Sequence, residues 1–193
     1  MRTFVLIHGL GHGGWCWQPI VERLREHGHS VAAPDLPLTS LVNDANSVSE
    51  LLDSLEGTKT LVGHSYAGLV ISLAAAGRSD VDHLVYVAAT MMPGDADPLV
   101  AGMESSSEQL GAALDISDDG WINLDSEAAI AAFYSRCDSD VAAAAAKRLR
   151  PTALVCLTTP TGAEPWDHID STYVVCRADA AVRPESQSDM ATR

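Results

Sequence analysis

The six residues Gly63-His64-Ser65-Tyr66-Ala67-Gly68 constrain the fold more than any other part of the chain, because of what flanks them. The apolar run at residues 58–62 reads as a buried strand, and residues 69–76 read as a buried helix. A chain that passes from strand to helix within a few residues must turn sharply, and the two elements then nearly touch. Gly63, Ala67 and Gly68 supply the small side chains this needs. A serine on such a turn is held out of the sheet, with its hydroxyl exposed and the next backbone N–H aimed at the same point. That is the arrangement of a nucleophile elbow. The usual pattern has glycine where Ala67 stands, so the match is imperfect by one methyl group.

The same alternation of elements runs along the chain. Residues 4–7 form a short apolar run ended by glycines, as expected of a central parallel strand. Residues 15–27 show helical spacing, with Trp17, Ile20, Val21 and Leu24 on one face and Gly28 as the stop. Residues 30–33 read as a second strand, and residues 40–55 as an amphipathic helix with Leu41, Ala45, Val48, Leu51, Leu52 and Leu55 on one side. Residues 82–89 give another strand. This order predicts an α/β fold with a mainly parallel, doubly wound sheet and helices on both faces.

The rhythm breaks after Met91-Met92-Pro93-Gly94. Residues 95–123 are polar, rich in glycine and serine, and read as irregular, whereas residues 126–134 and 139–148 look helical. An insertion here, at about residues 95–150, is expected to form a small helical cap over the site. The last clear strand is residues 171–177, and a final helix is expected to begin at Glu185 and to be cut short. The whole chain, residues 1–193, reads as a single domain.

Composition excludes some classes of partner. Twelve lysines and arginines against 26 aspartates and glutamates give a formal charge of −14. Nucleic acid and anionic membrane are not expected partners, since binding phosphate needs a basic face. No run is long enough to span a membrane, and the N-terminus enters its first strand too abruptly for a signal peptide, so a cytoplasmic location is expected. Cys16, Cys137, Cys156 and Cys176 form no Cys-x-x-Cys pair and suggest reduced thiols rather than a zinc site. No metal or organic cofactor is expected.

A serine hydroxyl becomes a competent nucleophile with a base, a group that orients the base, and donors for the oxyanion. His8-Gly9-Leu10-Gly11 ends the first strand, and loops at the carboxyl ends of parallel strands line one crevice. The N–H groups of Leu10 and Tyr66 are therefore the natural oxyanion pair. Gly9-x-Gly11-x-x-Gly14 also spells a dinucleotide-binding fingerprint, but no acidic residue ends the second strand cleanly, because Asp35 follows a proline. Asp179, in the turn after the last strand, fits the orienting carboxylate; the alternative is a simple turn former. The base is the difficulty: of His8, His12, His27, His29, His64, His83 and His168, none follows Asp179. Gly9, His12, His64 and Met91 are placed at the pocket, with the His64 side chain expected to turn away from the serine's face. Trp15, Trp17, Met92, Trp121 and Phe133 are further candidates for apolar pocket walls, against the ordinary alternative of core packing.

Phe4-Val5-Leu6-Ile7-His8-Gly9, Gly13-Gly14-Trp15-Cys16-Trp17, the elbow, Leu84-Val85-Tyr86-Val87-Ala88-Ala89, and Ser171 to Cys176 with Asp179 and Pro184 together resemble the α/β-hydrolase superfamily. The branch they resemble is that of bacterial esterase-like proteins related to hydroxynitrile lyases and methyl-ester esterases. The resemblance implies Ser65 as nucleophile, Asp179 as acid, and Leu10 and Tyr66 as oxyanion donors. It also implies a further strand and helix with the base histidine on the loop between them; this C-terminal strand and helix are expected to be missing here, as in a piece of a longer enzyme. The implied activity is hydrolysis of small, largely apolar esters through an acyl-enzyme. The alternatives are a catalytically impaired ligand-binding relative and a lyase-like enzyme, the latter disfavoured because the lyase branch has threonine where Gly9 stands.

Overall fold

A computed structural model describes residues 2–193. Strands β1 (Thr3–Ile7), β2 (Ser30–Ala32), β3 (Lys59–His64) and β4 (Val81–Val87) alternate with helices α1 (Gln18–Glu26), α2 (Leu41–Ser54) and α3 (Ala67–Ala75). A single 3₁₀ turn, Gly14–Trp17, precedes α1. The chain ends with strand Ser171–Val174 and helix Pro184–Met190, which become β8 and α8 once the cap elements are counted. All pairings in the main sheet are parallel, in the order β2-β1-β3-β4-β8.

The period of two along the central strands sends side chains to two different cores. Val5 and Ile7 of β1, Leu61 of β3 and Leu84 and Tyr86 of β4 pack with α2 and α3. Leu6, Val62, Val85 and Val87 face the other way, toward Val21 and Leu24 of α1. α2 begins where Ser40 accepts a hydrogen bond from the Asn43 N–H at 3.1 Å, a side-chain cap for one of the free N–H groups of the first turn. α3 is buried along almost its whole length, which explains its uniformly apolar sequence.

The segment between β4 and the return to the sheet is the expected cap, with more order than its composition suggests. It holds α4 (Pro98–Ser105), α5 (Glu108–Ala113), β5 (Leu114–Ile116), β6 (Trp121–Leu124), α6 (Ser126–Phe133), α7 (Ser139–Ala146) and β7 (Thr152–Ala153). β5, β6 and β7 form a small antiparallel sheet. Residues 95–123 are thus not irregular. Their polar residues act locally as caps: Asp97 accepts from the Leu99 N–H at 2.9 Å and Ser107 from the Leu110 N–H at 3.0 Å. These helices are too short to show a periodic apolar stripe.

The expectation of a missing C-terminal strand and helix is overturned. β8 closes the sheet against β4, with Leu84 opposite Ser171 and Val87 opposite Val174, and α8 follows it. The helix starts at Pro184, one residue before the expected start, and its sequence Pro-Glu-Ser-Gln-Ser-Asp-Met carries no apolar stripe. It is anchored by a polar residue, the fully buried Gln187, whose Oε1 accepts from the Cys176 N–H at 2.8 Å. Among the described residues no helix is long and apolar enough to cross a membrane, and all four cysteines are free thiols.

Candidate active site

Ser65 sits at the junction of β3 and α3 with φ +56°, a left-handed conformation that non-glycine residues adopt at a cost. The turn is held from both sides. The Ser65 N–H donates to Val87 O at 3.3 Å, and its carbonyl accepts from the Gly68 and Thr90 N–H groups, both at 3.0 Å. The two glycines have steric reasons. A Cβ on Gly63 would stand 2.7 Å from Ala67 O, and one on Gly68 only 2.2 Å from Thr90 O. Ala67, where the usual motif has glycine, is fully buried, so the fold accommodates its methyl group.

Gly9 follows β1 and packs against this turn; a Cβ there would lie 3.0 Å from Ser65 Cβ and 3.3 Å from His64 Nδ1. The loop after it is fixed by histidines. His8 is fully buried. Its Nδ1–H donates to Gly9 O at 2.8 Å, and its Nε2 accepts from the Leu36 N–H at 2.9 Å. Gly9 O belongs to the same peptide plane as the Leu10 N–H, so the imidazole fixes the direction of that N–H. His12 is held in the same way: Nδ1–H donates to Leu10 O at 2.7 Å, and Nε2 accepts from Tyr134 Oη at 2.9 Å. Asp35 bonds the Gly14 N–H at 2.7 Å and so closes the glycine loop itself.

On the other side of Ser65, the buried Tyr66 ring donates its hydroxyl to Asp44 Oδ2 at 2.7 Å, and Asp44 Oδ1 accepts from the Leu38 N–H at 2.8 Å. Asp44 is fully buried, and burial pushes its carboxyl group up from the ordinary range. Among the described residues, neither the Leu10 nor the Tyr66 N–H donates to a backbone acceptor outside regular elements or to a side chain.

Two cavities meet at Ser65. One, of about 380 Å³, lies under the cap and is walled by Leu99, Leu110, Leu114, Ile122, Leu124 and Phe133; Gly9, Leu10, His12, His64 and Tyr66 also line it. The other, of about 570 Å³, brings Ser65, His12 and His64 to the same space as Trp17, Tyr134 and Asp179. His64 therefore does not turn away from the serine. The left-handed turn breaks the strand alternation that would place neighbours on opposite faces, and the His64 ring stands 6.5 Å from the rings of His12 and Trp17. Met91 lines neither cavity: it is buried in the core, with its N–H on Met190 Sδ at 3.4 Å. Trp121 is on the surface, more than a third exposed.

Asp179 reaches the second cavity with its carboxylate already engaged. Oδ1 accepts from the Ala181 and Val182 N–H groups at 2.8 and 3.1 Å, and Oδ2 accepts from Gln187 Nε2 at 2.8 Å. It is a turn former and a cavity residue at once. The sequence reading missed Asp44, Gln187 and Arg150. Asp44 had a visible signal, a lone carboxylate on the apolar face of α2. Arg150 has none because its partners are main-chain groups far away in sequence, and Gln187 has none because it bonds nearby main-chain groups and Asp179 across a turn that shows no period.

The buried imidazoles make stability depend on pH. Desolvation is the main cause that pulls His8 down to about 4, partly offset by its bond to Gly9 O; desolvation also pulls His64 down to about 4. A histidine whose folded value lies below its unfolded value near 6.5 stays neutral in the fold, while the unfolded chain takes up the proton. Stability is then full above pH 6.5 and falls as pH drops toward 4. For His8 the fall is roughly 3 kcal/mol across that window. Urea unfolding at pH 7 and pH 4.5 measures it. His8→Gln, which keeps a donor and an acceptor but does not titrate, should show a shallower fall; an equal slope in both proteins contradicts this role.

The model of the Alpha/beta hydrolase family matches residues 4–193. The chain belongs to this family. Its curated relatives include the esterase PIR7B of Oryza sativa subsp. japonica, 37% identical over 105 residues, which are 47% of this chain and 39% of the rice protein. Methyl jasmonate esterase 1 of Vitis vinifera is 28% identical over 214 residues, covering 96% of this chain and 82% of the grapevine protein. For PIR7B and the similar rice and Arabidopsis thaliana proteins, the matched stretch spans less than half of the relative's length. In structure, a pyrethroid hydrolase from Sphingobium faniae JZ-2 has a TM-score of 0.86 at 22% identity, covering 100% of this chain and 84% of the hydrolase. Polyneuridine aldehyde esterase has a TM-score of 0.80 at 19% identity, covering 98% and 86%. At these identities the structural likeness concerns the fold.

Proposed function

We propose that this α/β-hydrolase is a serine hydrolase of small, largely apolar esters that works through an acyl-enzyme. The observation that carries the reading is Ser65 on a left-handed turn, in an apolar cavity that Leu10 and Tyr66 also line. Ser65 Oγ attacks the ester carbonyl. The carbonyl oxygen gains charge and is received by the two N–H groups, each such donor contributing about 3 kcal/mol to the transition state. Expulsion of the alcohol leaves an acyl-serine, which water hydrolyses. Esterases among the curated relatives support the reaction class, and the apolar walls under the cap support the substrate class.

The proton leaving Ser65 needs an imidazole. His8 and His12 have both ring nitrogens engaged. The His64 ring has no hydrogen-bond partner among the described residues, and His64 lines both cavities with Ser65. Its unengaged ring in the cavities it shares with Ser65 makes it the candidate acceptor; burial holds its value near 4, which leaves it neutral at pH 7 but a weaker base than a free imidazole. Hydrolysis of p-nitrophenyl butyrate by the purified chain tests the reading. Saturable turnover that His64→Gln lowers by about 10²-fold or more, the ordinary worth of a general base, is the expected result; no turnover above buffer contradicts it.

A second reading has an observation of its own. The Asp179 carboxylate already accepts from three protein donors, as suits a relative that binds an ester without cleaving it. Such a protein shows ester-induced thermal stabilisation and no product, whereas the esterase reading requires both binding and product.

A further inference from the structure

Arg150 lies where the cap returns to the main sheet, between α7 and β7, and its bonds run to the loops that follow β1 and β2. Its backbone N–H donates to Gly11 O at 2.8 Å. Its guanidinium donates twice to His12 O, from Nε at 3.0 Å and Nη2 at 2.8 Å, and once to Leu36 O at 3.1 Å. Nη2 also comes within 3.5 Å of His8 Nε2. No carboxylate lies within ion-pair distance of it among the described residues. Two residues on, the buried Thr152 accepts the Gly11 N–H at 3.0 Å. Leu124 of the neighbouring cap strand covers Gly11 so closely that a Cβ there would stand 2.3 Å from Leu124 Cδ1.

A guanidinium that spends its donors on two main-chain carbonyls, those of His12 and Leu36, fixes backbone directions rather than neutralising a charge. The carbonyls of Gly11 and His12 belong to the peptide planes just beyond Leu10. Thr152 and Arg150 thus hold both sides of Gly11, and His8 holds the peptide before Leu10. We infer that Arg150, with Thr152, is a positioning residue of the oxyanion hole, through which the cap sets the direction of the Leu10 N–H. The inference rests on the esterase reading of Ser65 and Leu10. It adds that the cap is part of the catalytic scaffold as well as a wall of the substrate cavity.

A positioning role differs from a merely structural one in what it moves. Misdirecting an oxyanion donor weakens the transition state and leaves ester binding alone, so kcat falls while KM stays. The experiment compares wild type, Arg150→Met, Arg150→Lys and Thr152→Val on p-nitrophenyl butyrate. It also measures their affinity for an aryl trifluoromethyl ketone, which adds to the serine hydroxyl and places an oxyanion in the hole. The expected result is a kcat at least tenfold lower in Arg150→Met, with KM within twofold and ketone affinity lost in proportion to kcat/KM. Arg150→Lys should recover part of the loss, and Thr152→Val should show the same pattern more weakly. If Arg150→Met does not fold, Thr152→Val carries the test alone. An active wild type whose variants keep kcat and ketone affinity, whatever their thermal stability, overturns the positioning role. A wild type that neither hydrolyses the ester nor binds the ketone at Ser65 overturns the esterase reading, and this role with it.

Discussion

Ser65→Ala is expected to lower ester hydrolysis by about 10³-fold or more, with the fold intact. The loss is large because a serine nucleophile and its base act as a unit, and without the hydroxyl only binding and oxyanion stabilisation remain. The fold should be indifferent, since the turn is held by backbone bonds to Val87, Gly68 and Thr90 that alanine keeps. A second substitution separates chemistry from conformation. Ser65→Gly relieves a left-handed residue at φ +56° that costs a non-glycine side chain on the order of 1–2 kcal/mol, so it should match or exceed the thermal stability of Ser65→Ala while being equally inactive. The pair of assays, ester turnover and thermal melting, checks both statements. Turnover within tenfold of wild type in either variant contradicts the assignment of Ser65.

Gly68→Ala is expected to be among the most damaging single-methyl changes in the chain for stability. The added Cβ would stand 2.2 Å from Thr90 O and 2.9 Å from Thr90 N, and both are backbone atoms that cannot rotate aside. Relief requires α3 to move off β4, and α3 is buried almost throughout. A loss of more than about 3 kcal/mol, above what overpacking normally costs where a flexible side chain can yield, is the expected outcome. Gly102→Ala is the matched control: it lies within α4, where an added Cβ meets nothing within 4 Å, and should be stabilising by up to about 1 kcal/mol. Urea denaturation of both variants gives the comparison, and equal stability for the two contradicts the steric explanation of the elbow.

The parts legible in the sequence are those where one periodicity dominates. The core strands and α2 could be read because two residues per period, or an apolar face such as Leu41, Ala45, Val48 and Leu52, must be buried for the sheet to exist. The elbow could be read because small residues are required wherever strand and helix nearly touch. The cap was legible as an insertion and in its last two helices, expected at residues 126–134 and 139–148 and found as α6 and α7, but not in its other elements. α4 and α5 last about two turns or fewer, and the strands are three, four and two residues long, too short for a period to emerge. α8 was legible at its start, expected at Glu185 and found from Pro184, but not in how it is fastened, since Gln187 anchors it rather than an apolar stripe. Within the candidate site, Gly9, Leu10, Ser65 and Tyr66 could be brought to one cavity from the turns they occupy. Met91 could not, since an apolar residue after a strand serves core or cavity equally well. His64 was misread because strand alternation was carried one residue too far, into the left-handed turn.

The most direct test is covalent labelling of the whole chain with a fluorophosphonate, followed by peptide mass spectrometry. A single adduct on Ser65, absent from Ser65→Ala and blocked beforehand by a trifluoromethyl ketone, is the predicted result. An unmodified Ser65 in a folded chain, or an adduct on another residue with ester turnover unaffected, contradicts it.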